Sequence, residues 1–339
     1  MSSASAPFGE AMKATLLLVL LVLSTASPRA EREGFSPVER EGFSRASQAG
    51  ASERDGLSRA SIRTGDINVR GLTAADFPRV RKLVENVYSY EQIDPTKRTV
   101  TVNNLIVVTT DGVLIAESQG TVANVQRLVA DVAKLTPQPI KYVVVGSEHG
   151  DHTGGISAFP AGVVYLAHPF SAPRIKQPTE PVAEKKVLTL GGTVVEVLFL
   201  GRAHTGGDLE VYLPRENILF MSEAFSNHVF PSMSNGYPSE WVATLKKAES
   251  MQARIYVPAH GFVDEPEVLR EELRDFRFAI ERIIVQGRRL HEQKMPLERA
   301  LLAADFGRYE EWTRKENNAP GALKRVYMEL DGQLPPRKP

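Results

Sequence analysis

Cysteine is absent from this sequence of 339 residues. Its absence excludes disulfide bonds, thiolate nucleophiles and metal sites built from cysteine. An excess of one charge is also absent, because 41 lysines and arginines balance 41 aspartates and glutamates. Nucleic-acid-binding proteins usually carry a basic surface excess, so we expect no nucleic-acid partner.

Long apolar runs are scarce, and the N-terminal run Ala14–Leu23 is too short for a membrane helix. A helix that spans a bilayer needs about 20 apolar residues, so we expect no stable membrane span. Lys13 precedes the run and the small residues Ser24-Thr25-Ala26 follow it, which is the pattern of a cleaved signal peptide. We therefore predict a signal peptide at residues 1–26 and a periplasmic or secreted protein. A short membrane anchor and a buried strand are the alternatives.

A repetitive segment follows the predicted signal peptide. The sequence Glu31-Arg-Glu-Gly-Phe-Ser36 recurs at Glu39–Ser44 and, in a degraded form, at Glu53–Ser58. Its apolar residues are too sparse to form a core, so residues 27–79 are predicted to be a disordered linker. A docking motif is the alternative.

From about residue 80 the pattern changes to short apolar strands alternating with helices. Two strands flank Asp111-Gly112, a sequence typical of a hairpin turn, and apolar residues at helical spacing follow in Val122–Leu135. Further apolar segments predict strands at residues 142–145, 163–166, 194–200, 209–213, 218–221 and 254–257. This alternation predicts a layered α/β domain over residues 80–264.

The last part of the chain has a different pattern. Apolar residues recur every three or four positions from Leu269 to Ile283, which predicts an amphipathic helix. We therefore predict a helical extension at residues 265–339 that packs on the domain. A homodimer interface formed by the same apolar face is the alternative.

Histidine and aspartate cluster directly after the strand at residues 142–145, in Ser147-Glu-His-Gly-Asp-His-Thr-Gly-Gly155. Imidazole and carboxylate groups are ligands for zinc and similar divalent ions. Two more histidines, His204 and His260, also follow apolar strands. Loops at strand ends can aim side chains at one point, so these residues predict a metal site.

In these motifs the sequence resembles the metallo-β-lactamase superfamily of metallohydrolases. The family pattern is His-x-His-x-Asp-His, then a distant histidine before Thr-x-Gly-Asp, then Gly-Asp after a strand, where this sequence has Ser222-Glu223, then a late His-Gly. The resemblance implies an αββα sandwich of the α/β class with the metal site at one edge of the two sheets. It implies zinc as the cofactor, as one or two ions, with iron or manganese as alternatives. The implied ligands are His149 and His204 for the first metal, Asp151, His152 and His260 for the second, and Glu223 as the bridge.

Ser147 departs from this pattern, because it occupies the position of the first histidine. A serine hydroxyl is a poor zinc ligand beside an imidazole. We therefore expect the second site, with its complete Asp-His-His set, to hold the tighter metal.

The function that the resemblance implies is metal-dependent hydrolysis of a small-molecule ester, thioester, lactone or β-lactam, with a metal-activated water as nucleophile. Asp151 is expected to be catalytic, orienting the nucleophile and moving its proton. Two other functions stay open. One is a mononuclear iron oxygenase of the same fold, and the other is a non-catalytic domain that binds a metal or a partner.

Overall fold

Two mixed β-sheets form the framework within residues 62–336, which are the residues that this computed structural model describes. The predicted signal peptide and the repeats lie outside the described residues. The seven strands of the first sheet, in chain order, are β1 (Arg79–Val84), β2 (Val87–Ile93), β3 (Thr101–Thr109), β4 (Gly112–Ala116), β5 (Ile140–Val145), β6 (Val164–Ala167) and β7 (Thr179–Pro181). The five strands of the second sheet are β8 (Lys185–Leu190), β9 (Thr193–Leu198), β10 (Glu210–Leu213), β11 (Ile218–Phe220) and β12 (Ile255–Val257).

The helices flank these sheets and extend to the end of the described chain. They are α1 (Val122–Leu135), the single turn α2 (Gly150–Thr153), α3 (Pro238–Ser250), α4 (Pro266–Glu292), α5 (Leu297–Ala303) and α6 (Lys315–Leu330). No helix of the described chain combines the length and the apolar character that crossing a bilayer requires.

Strand pairing changes from antiparallel to parallel across the first sheet. β1 to β4 are antiparallel neighbours, and β3 and β4 form the hairpin predicted around Asp111-Gly112. β4 to β7 are parallel. A parallel neighbour needs a crossover connection, which α1 supplies between β4 and β5. In the second sheet β12 pairs in parallel with β11, and the other strands are antiparallel.

Residue alternation along the central strands separates two apolar layers. Leu105 and Leu114 share one buried cluster with Val195 and Val211 of the second sheet. Their sequence neighbours Ile106, Val113 and Ile115 share the other cluster with Val125, Leu128 and Val132 of α1. Since successive side chains of a strand point to opposite faces, one face meets the second sheet and the other meets the helix. The predicted αββα sandwich of the α/β class is confirmed.

The C-terminal helices belong to the same core. Leu269, Phe276 and Ile283 of α4 are buried with residues of β11 and β12, and α6 packs against α4 through Leu323 and Val326. The prediction that the apolar face of this extension is buried is therefore confirmed.

The chain just before β1 contacts the domain, although the linker was predicted to continue to residue 79. Ile67 is buried and its amide donates to Thr99 O. The guanidinium of Arg70 pairs with the carboxylate of Asp264 at 2.7 Å and lies over the ring of Phe262. Composition gave no sign of these contacts, because the stretch is held by a few long-range contacts, among them ion pairs of Arg63 with Glu271 and Glu272. The division of the chain at residues 26, 79 and 264 stays a prediction as a whole.

Candidate metal site

The His-Asp-His segment leaves the C-terminal end of β5 and closes into the single turn α2. His149 precedes this turn, and Asp151 and His152 lie within it. Gly146 permits the close approach that this exit requires, since a Cβ there would lie 2.3 Å from both Glu117 Oε1 and Ser222 Oγ. The turn therefore presents three predicted ligands from one strand end.

The remaining predicted ligands come from the second sheet. His204 lies in the loop between β9 and β10, where Asp208 accepts hydrogen bonds from the backbone and the hydroxyl of Thr205. Glu223 lies in a short 3-10 helix that follows β11, and His260 follows β12. The Nδ1 atom of His260 lies 2.7 Å from Thr101 O, which fixes the ring so that Nε2 faces the cluster.

Four side chains present one ligand atom each at nearly equal spacing, and we call them the four-residue set: Asp151, His152, Glu223 and His260. The Nε2 atoms of His152 and His260 are 3.3 Å apart, and both lie 3.4 Å from Glu223 Oε1. Asp151 Oδ2 lies 3.7 Å from His152 Nε2 and 3.5 Å from His260 Nε2. Zinc–ligand bonds of about 2.0–2.2 Å in a tetrahedron require ligand atoms roughly 3.3–3.6 Å apart, which these distances match.

A second group, the three-residue set, consists of His149, His204 and the shared Glu223. His149 Nδ1 lies 3.0 Å from both His204 Nε2 and Glu223 Oε2. His204 Nε2 lies 3.2 Å from Glu223 Oε1. Glu223 thus faces both sets with its two oxygen atoms, as the predicted bridge would.

The electrostatics of the cluster favour a cation. Burial disfavours charge on Glu223, yet the imidazoles around it hold the pKa of its carboxyl well below the ordinary value. Burial likewise opposes charge on Asp151, and His152, His260 and Lys97 still lower its pKa. In return Glu223 raises the pKa of His149 to about 9 against the effect of burial. Two ionised carboxylates in a buried pocket are compensated by protons here, and a divalent ion would serve the same purpose.

Ser147 stands apart from both sets. Its side chain is fully buried, and its hydroxyl accepts a hydrogen bond from the amide of His149 at 3.4 Å. Ser147 therefore stabilises the backbone at the start of α2. The structure brings all six predicted side chains together, and their assignment as metal ligands remains a prediction.

Comparison with known proteins agrees with this geometry. A model of the metallo-beta-lactamase superfamily matches residues 114–260, the stretch from β4 to His260. This stretch of the chain belongs to the metallo-β-lactamase superfamily. Among solved structures, the metallo-beta-lactamase from Pontibacter korlensis covers 59% of this chain and 98% of its own, with a TM-score of 0.54 and 22% identity. DIM-1 metallo-beta-lactamase covers 59% and 96%, with a TM-score of 0.51 and 20% identity. At these identities the likeness concerns the fold.

Curated relatives are equally distant. Metallo-beta-lactamase type 2 of Bacillus sp. (strain 170) is 25% identical over 183 residues, which are 50% of this chain and 71% of the relative. Lactamase-like protein nscB of Trichophyton verrucosum (strain HKI 0517) is 27% identical over 199 residues, 58% of this chain and 63% of the relative. The chain thus spans less than two thirds of the second protein.

Three further residues of this metallo-β-lactamase fold contact the cluster and were not predicted. Lys97 forms an ion pair with Asp151 and lies 3.0 Å from Asp94. The fully buried Glu117 lies 3.5 Å from His152 Nδ1, and the Asn235 amide lies 3.0 Å from His149 Nε2. Glu117 directly follows the apolar strand β4, and an acidic residue in that position could have been recognised in the sequence. Lys97 and Asn235 lie in loops whose approach depends on tertiary packing, and no sequence pattern marks them.

Proposed function

We propose that the chain is an exported hydrolase that cleaves an ester, thioester, lactone or β-lactam bond of a small molecule, with zinc as its metal. The observation that carries the proposal is the close spacing of the ligand atoms in the four-residue set, which are 3.3–3.7 Å apart in every pair that includes His152 or His260. Superfamily membership supports it, as does the position of the set at the wall of a cavity of about 180 Å³.

The residues of the site have separable roles in this proposal. A bound divalent ion would supply a Lewis acid and an acidic water molecule at neutral pH. Asp151 lies at the cavity wall, and its depressed pKa keeps the carboxylate ionised, so that it can accept a hydrogen bond from the attacking water and orient it. Lys97 holds that carboxylate in place. His260 is oriented by Thr101 O, and Trp241 packs edge-on against the ring of His204 at 5.5 Å.

The test is turnover by protein stripped with a chelator and reloaded with zinc, iron or manganese. The substrates are a chromogenic ester, a thioester, a lactone and a cephalosporin. The relatives include a linear primary-alkylsulfatase of Pseudomonas sp. (strain ATCC 19151), so an alkyl sulfate joins the panel. We expect zinc-dependent turnover of at least one substrate and its loss in His260→Ala.

His291→Ala is the matched control. His291 lies on α4, pairs with Asp331 and belongs to neither ligand set. It should keep the activity of the unmodified protein. Absence of turnover with every metal would support the non-catalytic function instead. Oxygen consumption by the iron-loaded protein alone would support the oxygenase.

Our proposal of export rests on the sequence at residues 1–26, which lie outside the described residues. N-terminal sequencing of protein recovered from the periplasm or the medium should find a chain that begins near Ser27. A mature protein that still begins at Met1 or Met12 would contradict cleavage.

A further inference from the structure

The cavity at the candidate metal site has walls of three kinds. One wall contains members of both ligand sets, and a second is apolar, with Val100, Val229 and Phe230. The third comes from the C-terminal extension and contains Arg314 and Asn318. The extension lies beyond residues 114–260, the part of the chain that matches the superfamily model. Arg314 is therefore a contribution of this chain's own C-terminal segment to the space next to the cluster.

Lys97 and Arg314 both line the cavity, and they differ in how their charges are met. Lys97 is paired with Asp94 and Asp151, so two carboxylates neutralise it. Arg314 is partly buried, and across residues 62–336 its guanidinium has neither an ion pair nor a hydrogen bond. The carboxylates that share the cavity, Asp151 and Glu223, are engaged by Lys97 and by the imidazoles. Arg314 is thus a cation in the cavity wall with its hydrogen-bonding capacity unused.

The backbone around Arg314 is fixed against the apolar wall. Thr313 pairs with Val229 in a parallel bridge, and Phe230 N donates to Thr313 O at 2.9 Å. Arg314 itself has φ +67°, a conformation that non-glycine residues rarely adopt, and its carbonyl accepts from the amide of Asn318 at 3.0 Å. The backbone position of Arg314 next to Val229 and Phe230 is therefore set by main-chain contacts.

On the basis of the proposed hydrolase function, we propose that Arg314 binds a carboxylate group of the substrate. The planar guanidinium offers paired donors that match a carboxylate, and partial burial strengthens such a contact. Val229 and Phe230 contact the carbon chain between this carboxylate and the bond that is cleaved. The substrate class is then a small organic acid that carries a hydrolysable carbonyl bond some carbons away from its carboxylate.

The experiment compares two esters that differ in the distal charge, mono-p-nitrophenyl glutarate and p-nitrophenyl pentanoate. In the zinc-loaded protein, Arg314→Gln should lower the ratio of kcat/KM for the anionic ester to that for the neutral ester by about 10- to 100-fold, mainly through KM. Arg314→Lys should restore part of the ratio. Arg288→Gln, at an exposed arginine of α4, is the matched control and should leave the ratio unchanged. An unchanged ratio in Arg314→Gln would overturn the proposal.

Calorimetric titration with glutarate and with the neutral pentanamide separates this proposal from the hydrolase function. Glutarate should bind the unmodified protein more tightly than it binds Arg314→Gln, whereas a carboxylate held by the metal alone would bind both proteins equally. If neither ester is cleaved but glutarate binding depends on Arg314, the hydrolase proposal fails and the anion site stands. If both esters are cleaved and Arg314→Gln binds glutarate normally, the anion site fails. Melting temperatures of the variants confirm that each is folded.

Discussion

The side-chain amide of Asn235 lies 3.0 Å from Nε2 of His149, on the side of the ring opposite the contact with Glu223. The loop that carries Asn235 is held by α6, because the guanidinium of Arg325 donates to Gly236 O at 2.5 Å and to Asn235 O at 3.4 Å. Arg325 is itself buried. The C-terminal extension therefore orients a ring of the three-residue set through one loop.

Replacing Asn235 with alanine should weaken the three-residue set alone. The amide fixes the ring of His149, and loss of such an orienting contact typically lowers metal affinity about 10- to 100-fold. We expect the affinity for a second equivalent of zinc to fall by about tenfold in Asn235→Ala, measured by competition with a chromogenic chelator, while the first equivalent binds as before. Asn68→Ala, at an exposed asparagine, is the control. Equal binding of the second equivalent by the variant and the unmodified protein would contradict this role.

Metal stoichiometry should distinguish the two ligand sets. The four-residue set offers four ligand atoms and the three-residue set offers three, and a serine hydroxyl at position 147 is a poor zinc ligand. We expect one tightly held zinc per chain after dialysis. His204→Ala should keep that ion, whereas Asp151→Ala and His260→Ala should lose it. Elemental analysis decides the matter, and two retained ions in the unmodified protein would show that the three-residue set is complete without an imidazole at position 147.

Ser147→His tests the same point in the opposite direction. A histidine there restores the family pattern and should raise the stoichiometry toward two. Ser147 is fully buried, so the larger ring costs about 1–3 kcal/mol of stability by overpacking. The melting temperature of the variant has to be measured in parallel to show that it is folded. A folded variant that still holds one ion would contradict the expected rise in stoichiometry.

Lys97 should contribute to stability as well as to the position of Asp151. Its ammonium group bridges Asp151 and the fully buried Asp94, and Lys97→Met would leave the Asp94 carboxylate without its cation. We expect Lys97→Met to lower the free energy of unfolding by about 1–3 kcal/mol in urea denaturation of the metal-free protein. Lys82→Met removes an exposed surface pair with Glu85 and should leave the free energy of unfolding nearly unchanged. Similar losses in both variants would argue against a special role for Lys97.

The fold could be predicted because the patterns that determine its strands and helices lie within short stretches of sequence. Apolar alternation marks β3 and β4, helical spacing marks α1, and His149, Asp151, His204 and His260 each follow a strand. The contacts from Lys97, Asn235 and Arg314 could not be predicted in this way. These three residues lie in loops, and they reach the site through long-range packing that leaves no periodic pattern in the chain. The same reason explains why the ordered stretch around Arg70, which depends on an ion pair with Asp264, looked like linker.

Phe276 of α4 joins the extension to the core of the second sheet, so its loss should be costly. The ring is 1% exposed, and its centroid lies 5.7 Å from that of Phe225 and 5.8 Å from that of Trp241. Truncation of a buried phenylalanine removes apolar burial and leaves a cavity, so Phe276→Ala should lower the free energy of unfolding by about 3–5 kcal/mol.

Phe278 offers a control two positions away on the same helix, because its side chain is 39% exposed. Phe278→Ala loses the contact with the Arg277 guanidinium, whose carbon lies 4.5 Å from the ring centroid, and should cost less than about 1 kcal/mol. Urea denaturation of the two variants measures the difference directly. If both lost the same free energy, helix propensity would be the cause and α4 would not be held by its apolar face. Trp241 contacts both Phe276 and His204, so a cost confined to Phe276→Ala would show that the apolar face of α4 is packed on the residues beside the site.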